Sequence, residues 1–400
     1  MPAAANPVKK NLVFPVGLFV FLAGYFLFWS NKSYNNSIYL FCCVPALYFL
    51  LTNFKESTRG LSTNPLFIAL ACFIFYIPLS SLWHPDNQLS DTFHFYTNAF
   101  TILLFILFIK LCTKQDAAVQ TNAFCLFAFS AALVAIAAFI VAKWFPEHSK
   151  LLETGRIFGV TRAILIEGYG VAILSAIFLV TIPIELWKKI LLYLSIILLI
   201  FILLGGSRIT LLGFLLTSLV IPIYKRQLSI IIPICFGLLL IGLAFWVIDD
   251  LSSLFLRGEE WRPKILQQLF AEACQSLWFG LGLNKHQTVQ IGNNLFLNPH
   301  NALMSTFHSS GILGVVLHLS VYLTALFTAF KNRKEPLIVL AFMLLMFGFI
   351  AELTSGNRLI NNPNQQWLYV WLPIGMLLGY SSRQSKNENV STAQQVINSR

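Results

Sequence analysis

Charge is what this sequence has least of. Asp, Glu, Lys and Arg make up 11% of its 400 residues, less than half of the roughly 25% that a soluble domain carries. So few charged side chains cannot cover a water-facing surface, which excludes a string of ordinary soluble domains. Acidic residues are the scarcer kind: 16 Asp and Glu stand against 27 Lys and Arg, a formal net charge of +11. The excess does not point to nucleic acid, because the basic residues lie between apolar runs and build no polar domain. Cysteine supplies no disulfide framework. Cys42, Cys43, Cys72, Cys112, Cys125 and Cys235 fall in or beside apolar runs and read as small buried hydrophobes, while Cys274 stands apart without a partner. Metal-binding patterns are missing too: there is no Asp-x-Asp, His-Glu-x-x-His or Cys-x-x-Cys. The adjacent Asp249 and Asp250 read as the end of a span. No internal repeat is visible.

Apolar length is what is present. Hydrophobic residues are 57% of the chain and mean hydropathy is +0.73. A transmembrane helix needs roughly 20 mainly apolar residues. Runs of that kind centre on 12–29, 37–52, 65–83, 95–112, 119–142, 169–186, 188–204, 209–224, 229–248, 301–329, 336–353 and 366–380. Ile190–Leu204 is apolar on every face, whereas the strands of a membrane barrel alternate. The pattern predicts an all-α, polytopic integral membrane protein of about 12 transmembrane helices. They form a single helical domain over 1–381, followed by a polar, solvated tail over 382–400. The opening stretch with Lys9 and Lys10 resembles a signal-peptide leader. The first run is long and bulky and has no small-residue cleavage site after it, so it reads as a retained span.

The cations orient the bundle. With a cytoplasmic N-terminus, the inner segments hold Lys9, Lys10, Lys55, Arg59, Lys110, Lys114, Lys188, Lys189, Lys225, Arg226, Lys331, Arg333, Lys334, Arg383, Lys386 and Arg400. The short outer loops hold only Lys32, Lys143, Arg208 and Arg358. This asymmetry follows the positive-inside rule and places both termini in the cytoplasm. Lys150, Arg156, Arg162, Arg257, Arg262, Lys264 and Lys285 lie in two long outer segments, about 144–168 and 249–300. Long loops escape the topology rule, so these cations call for another explanation.

The longer outer segment is patterned. From Trp261 to Trp278 apolar residues recur at helical spacing, Pro263 suits a first turn, and Gly280 and Gly282 mark an end. This predicts an amphipathic helix lying on the membrane boundary or on the spans. In Asn298-Pro299-His300-Asn301, Asn is a favoured N-cap and Pro a favoured first helical residue. That reading puts His300 in the first turn of the tenth span, where the helix end disfavours a protonated imidazole and favours an anionic ligand. A neutral His there is suited to act as a general base. On a continuous helix Gly311 and Gly314 project within about 20° and 40° of the His300 line, forming a stripe for close packing against a neighbouring span. Arg208 sits in a very short outer turn, Arg257 and Arg262 flank Trp261, and Arg156 and Arg162 precede the sixth span. Arginine suits bidentate binding of phosphate oxygens. Several arginines and one His on one membrane face suggest a site for the diphosphate of an amphiphilic ligand. His84 and His94, flanking Asp86 and Asp91 in another outer loop, are weaker candidates for a substrate contact. Glu352, near the outer end of its span, reads as a local hydrogen-bonding group.

These residues resemble the O-antigen ligase family, part of a superfamily with O-antigen polymerases and protein O-oligosaccharyltransferases. His300-Asn301, nine residues, then Gly311-Ile-Leu-Gly314 is similar to the family's pattern of His, a small polar residue, nine residues and Gly-x-x-Gly. Gly206-Ser207-Arg208 resembles the family arginine that opens the following span. Arg257 with Trp261, then Gly280-Leu-Gly282, resembles the start of its large periplasmic loop. Detailed likeness covers roughly 150 to 400. The resemblance implies an inverting glycosyltransferase of the bacterial inner membrane with its site facing the periplasm. It would move O-antigen glycan from undecaprenyl diphosphate to a sugar hydroxyl of lipid A–core, with neither metal nor cofactor. His300 would take the acceptor proton. Arg208 and Arg257 would hold the diphosphate, with Arg262, Arg156, Arg162 and Asn301 as further substrate contacts. Gly311 and Gly314 would be structural. The motifs do not separate a ligase from a polymerase or a protein-glycosylating enzyme. A lipid-linked glycan transporter is the alternative of another class, but transporters place ionisable residues near the bilayer midplane, and here the notable arginines sit at one edge.

Overall fold

The computed structural model describes residues 12–28, 30–84, 88–113, 116–144, 162–206, 213, 216–220, 261–292, 294–296, 299–354, 356 and 358–381. Among them the helices are α1 (Val13–Leu27), α2 (Asn31–Thr52), the short α3 (Phe54–Thr58), α4 (Pro65–Trp83), α5 (Leu89–Cys112), α6 (Ala117–Trp144), α7 (Arg162–Val180) and α8 (Leu186–Gly206). After 260 come α9 (Trp261–Ala273), α10 (Ala302–Lys331), α11 (Pro336–Thr354) and α12 (Trp367–Ser381). Among the described residues six stretches are long and apolar enough to cross a membrane: α2, α4, α5, Ala117–Ala137 of α6, α10 and α11. Val13–Leu27, Glu167–Val180 and Trp367–Ser381 are shorter apolar helices. The expected span at 229–248 and most of 209–224 lie outside the described residues, as do the tail and most of the segment 144–168.

The bundle is ordered around α12, whose residues from Trp367 to Tyr380 are all buried. Phe105 of α5 meets Trp367 and Phe347 of α11 meets Tyr369, with ring centroids 4.7 and 5.9 Å apart. Such contacts matter because lipid offers no hydrophobic drive between helices, and association rests on fit. At one end of the bundle Lys110 is buried and donates to the carbonyls of Ser57 and Arg59, 2.7 and 3.4 Å away, stapling α5 to the loop after α3. The other end carries the loop 274–300 and the candidate site.

The described residues are consistent with the all-α reading, with one small non-helical element besides. Val289–Ile291 and Asn294–Phe296 form a two-stranded antiparallel hairpin, with Val289 opposite Phe296. The turn runs through Gly292 at φ +60°. A Gly-Asn pair between short apolar stretches is a hairpin signal, overlooked because the strands are only three residues long.

α10 corrects one expectation. It is broken at Gly311, whose φ of 65° and ψ of −164° are non-helical. The leading arm (302–310) turns back so sharply that Thr306 Oγ1 lies 3.1 Å from His318 Nδ1, although twelve residues of straight helix would span about 18 Å. A continuous stripe of His300, Gly311 and Gly314 therefore does not exist. Gly311 instead abuts the backbone of Trp278 and Phe279, and Gly280, at φ +74°, abuts that of Ser309–Gly311. The two chains exchange hydrogen bonds across this contact. Leu281 and Gly282 N–H donate to the carbonyls of His308 and Ser309 at 2.8 and 3.0 Å. Ile312 and Leu313 N–H donate to those of Leu277 and Trp278 at 2.9 and 3.3 Å. The Ser310 carbonyl accepts from Tyr76 Oη of α4 at 3.0 Å. These are the groups that the missing i→i+4 bonds would have joined, and leaving them bare near lipid costs several kcal/mol each.

Gly311→Ala is therefore expected to be strongly destabilising. The backbone conformation alone costs about 1–3 kcal/mol for a side-chain-bearing residue, and the added methyl has no space. Gly60→Ala, also at positive φ but with nothing within 4 Å of the added carbon, is the control. Thermal unfolding of the detergent-solubilised protein checks this. Equal midpoints for the two variants would contradict the packing role of Gly311.

Candidate functional site

The leading arm of α10 runs across the site end of the bundle, from the end of α11 to the end of α4. At its start Asn301 is the N-cap: its Oδ1 accepts from Met304 N–H at 2.8 Å, and its Nδ2 donates to the Leu353 carbonyl of α11 at 2.9 Å. At its far end Ser310 Oγ donates to Ser80 Oγ of α4 at 3.1 Å. The helix thus starts later than Asn298 and Pro299 suggested. His300 stands outside it, immediately before the cap, with φ +50°. That left-handed conformation is uncommon for a residue with a side chain and clusters at functional sites.

Beneath the arm, Thr306, His318 and Glu352 form a buried clasp. His318 Nε2 is 3.1 Å from Glu352 Oε2, and both side chains are 1% exposed. The clasp joins both arms of α10 to α11, so Glu352 has the local bonding role expected of it. Above the arm lies α9. Its buried face, Ile265, Leu269 and Ala273, packs toward Val289 of the hairpin and Met304 of the arm. Phe270 lies against Phe307, ring centroids 5.6 Å apart and planes tilted by 33°, and Glu272 Oε2 lies 3.2 Å from His308 Nε2. α9 therefore runs parallel to the arm and ends at Ala273, with a 3-10 turn over Cys274–Ser276 where helix to Trp278 was expected. The hairpin loop is tied down by Gln287, whose amide donates to the Ser305 carbonyl at 2.9 Å and accepts from Ser305 Oγ at 2.8 Å.

This parallel arrangement brings the start of α9 to His300. Arg262 Nη1 donates to the Thr354 carbonyl at 3.2 Å, one residue beyond the carbonyl held by Asn301. Partial burial of the His300 ring, and then repulsion from the Arg262 guanidinium, pull its pKa below the ordinary imidazole value. The direction matches the sequence reading, with desolvation and an arginine as the causes.

Of the other residues named from sequence, Arg156, Arg208 and Arg257 lie outside the described residues, and so does the side chain of Arg162. His84 lies against Gly282, and His94 lies 3.3 Å from Asn98. Sequence reasoning passed over His308, His318 and Arg358. The first two are polar groups inside an apolar run, a signal for function or bracing that was available. Arg358 was counted only for topology, yet its Nη2 donates to the Lys285 carbonyl at 3.0 Å and closes the site loop onto the segment after α11.

The described residues define a class first: a helical membrane protein with a polar, loop-built site at one end of its bundle. No family model matches the chain. It is 26% identical over 375 residues to an O-antigen ligase of Pseudomonas aeruginosa, a match that covers 92% of this chain and 91% of that relative. This near full-length relationship supports the O-antigen ligase family, to which the His300 and glycine motifs pointed.

The state of His300 is open to measurement without knowledge of the reaction. Carbethoxylation requires neutral imidazole, so its rate at His300, followed by peptide mass spectrometry, is expected to fall only below pH about 6.5. Arg262→Gln removes the repulsion and is expected to move that midpoint upward, while Arg262→Lys leaves it near the wild-type position. A midpoint unmoved by Arg262→Gln would remove Arg262 as a cause.

Proposed function

We propose that this protein is an O-antigen ligase of the bacterial inner membrane. It would be an inverting glycosyltransferase that passes O-antigen glycan from undecaprenyl diphosphate to a sugar hydroxyl of lipid A–core at the periplasmic face. The observation that carries the reading is the relationship to an O-antigen ligase over 92% of the chain. The placement of His300 beside Arg262 supports it.

In this reading His300 is the general base. Exposed to solvent on one side, and kept toward the neutral form by partial desolvation and by Arg262, it accepts the proton of the acceptor hydroxyl. The oxygen attacks the anomeric carbon from the face opposite the diphosphate, the bond from that carbon to the diphosphate oxygen breaks, and configuration inverts. The electron pair leaves with undecaprenyl diphosphate. Arg262, Arg208 and Arg257 oppose the charge developing on the leaving oxygens, with Arg156 and Arg162 as further contacts, and no metal or cofactor takes part. Arg262 then has two effects of one sign: it disfavours a second positive charge on His300 and favours the anionic group. Asn301, engaged at both ends of its amide, fixes the direction from which His300 approaches the acceptor hydroxyl.

His300→Ala is expected to lower transfer of labelled glycan by about 10²–10⁴-fold while the protein elutes and unfolds as wild type. Substantial residual transfer would remove His300 as the base. Transfer is expected to survive a strong chelator, and a loss that added metal restores would contradict metal independence. Deletion in the source organism separates ligase from polymerase. A ligase mutant accumulates lipid-linked polymer and lacks it on the core, whereas a polymerase mutant carries a single repeat on the core.

A further inference from the structure

At the far end of α9 from Arg262 lies a cavity of about 880 Å³ that the His300 chemistry does not use. Its volume is within the usual range for small-molecule sites. Trp83 and Phe279 form one wall, with ring centroids 6.2 Å apart and planes at 75°, and both keep ring surface open, 37% and 55% exposed. Glu272, Gln275, His84 and Lys285 supply the polar lining. The corner of rings is fixed by Trp83 Nε1, which donates to the Phe279 carbonyl at 3.0 Å. Glu272 is fixed by the fully buried His308. We propose that this cavity binds a saccharide unit, resting on the glycan-transfer reading above.

The chemistry selects a sugar over the diphosphate. Glu272 is among the lining residues and would repel a phosphate. A carboxylate and an amide accept from and donate to vicinal hydroxyls, while the ring faces cover the apolar C–H side of a pyranose. Ten residues of α9 separate Glu272 from Arg262, about 15 Å of helix. The unit held here is therefore a neighbour of the reacting sugar, and binding it orients that sugar's hydroxyl or anomeric carbon toward His300. The neighbour belongs either to the acceptor core or to the donor glycan.

The test uses the whole chain in detergent and two probes, delipidated core oligosaccharide and O-antigen glycan released from its diphosphate. One of them is expected to bind, and which one binds identifies the source. Trp83→Ala and Gln275→Ala are expected to weaken that binding by about tenfold, the scale of a lost ring or hydrogen-bond contact, with Trp83→Tyr retaining most of it. In the transfer assay KM for the same glycan substrate is expected to rise in parallel, with kcat within about twofold of wild type. Gln275 is exposed, so its variant remains a test even where loss of the Trp83 bond disturbs folding. His300→Ala is expected to bind the probe as wild type does. Binding without any wild-type transfer would sink the ligase reading and leave the cavity standing. Transfer with KM and probe binding unchanged in Gln275→Ala and both Trp83 variants, or no binding of either probe, would overturn the cavity proposal.

Discussion

Backbone hydrogen bonding at the break in α10 is the constraint on which the rest of the site depends. A helix can stop inside a membrane protein only where its orphaned N–H and C=O groups find other partners. Here they find them in the segment 277–282, which takes two carbonyls and two amides of the broken helix, with Tyr76 of α4 taking a third carbonyl. Gly280 and Gly311 are what allow two backbones to lie in contact there. Neither half is satisfied alone: the loop would be an unpaired strand of chain, and the helix would be an open end.

Docking the loop at this break also sets the geometry upstream of it. With 277–282 anchored, α9 is held parallel to the leading arm, so its first turn meets His300 and its last turn meets His308. One layer thus carries an arginine at one end and an aromatic corner at the other. The clasp of Thr306, His318 and Glu352 holds the layer from below, and Gln287 and Arg358 hold its loop. His300 lies where the layer meets the end of α11, in a strained conformation that the surrounding bonds impose.

Much of this was legible in the sequence, for reasons that also explain what was not. Long apolar runs report helices because lipid demands internally bonded backbone, and the spans at 65–83, 95–112 and 336–353 fall on α4, α5 and α11. The spacing from Trp261 reported the packing face of α9. The boundary near His300 was visible, but the cap was set one helical turn too early, because Asn298 and Asn301 are equal as local signals and only contact with Leu353 distinguishes them. The break was hidden for a different reason: Gly311 is conformationally ambiguous, and its partner is some thirty residues away in the chain. Two hints existed. Thirty residues of helix would reach about 45 Å, beyond a hydrocarbon core of about 30 Å. And Ser305, Thr306, His308, Ser309 and Ser310 make the leading arm far too polar to face lipid. The arginines beyond Arg262 follow from a charge pattern that fixes a side of the membrane and not a position on it.

The exchange between 277–282 and the break also imposes an order on biosynthesis. Leu277–Gly282 leaves the ribosome before Ser310 does, so its backbone groups go without these partners until the later segment follows. The hydrogen bonds that satisfy the break in α10 form only when the two segments meet. The pairing of these two segments is thus late in the building of the site, and a chain cut short before α10 would leave the loop with nothing to close upon.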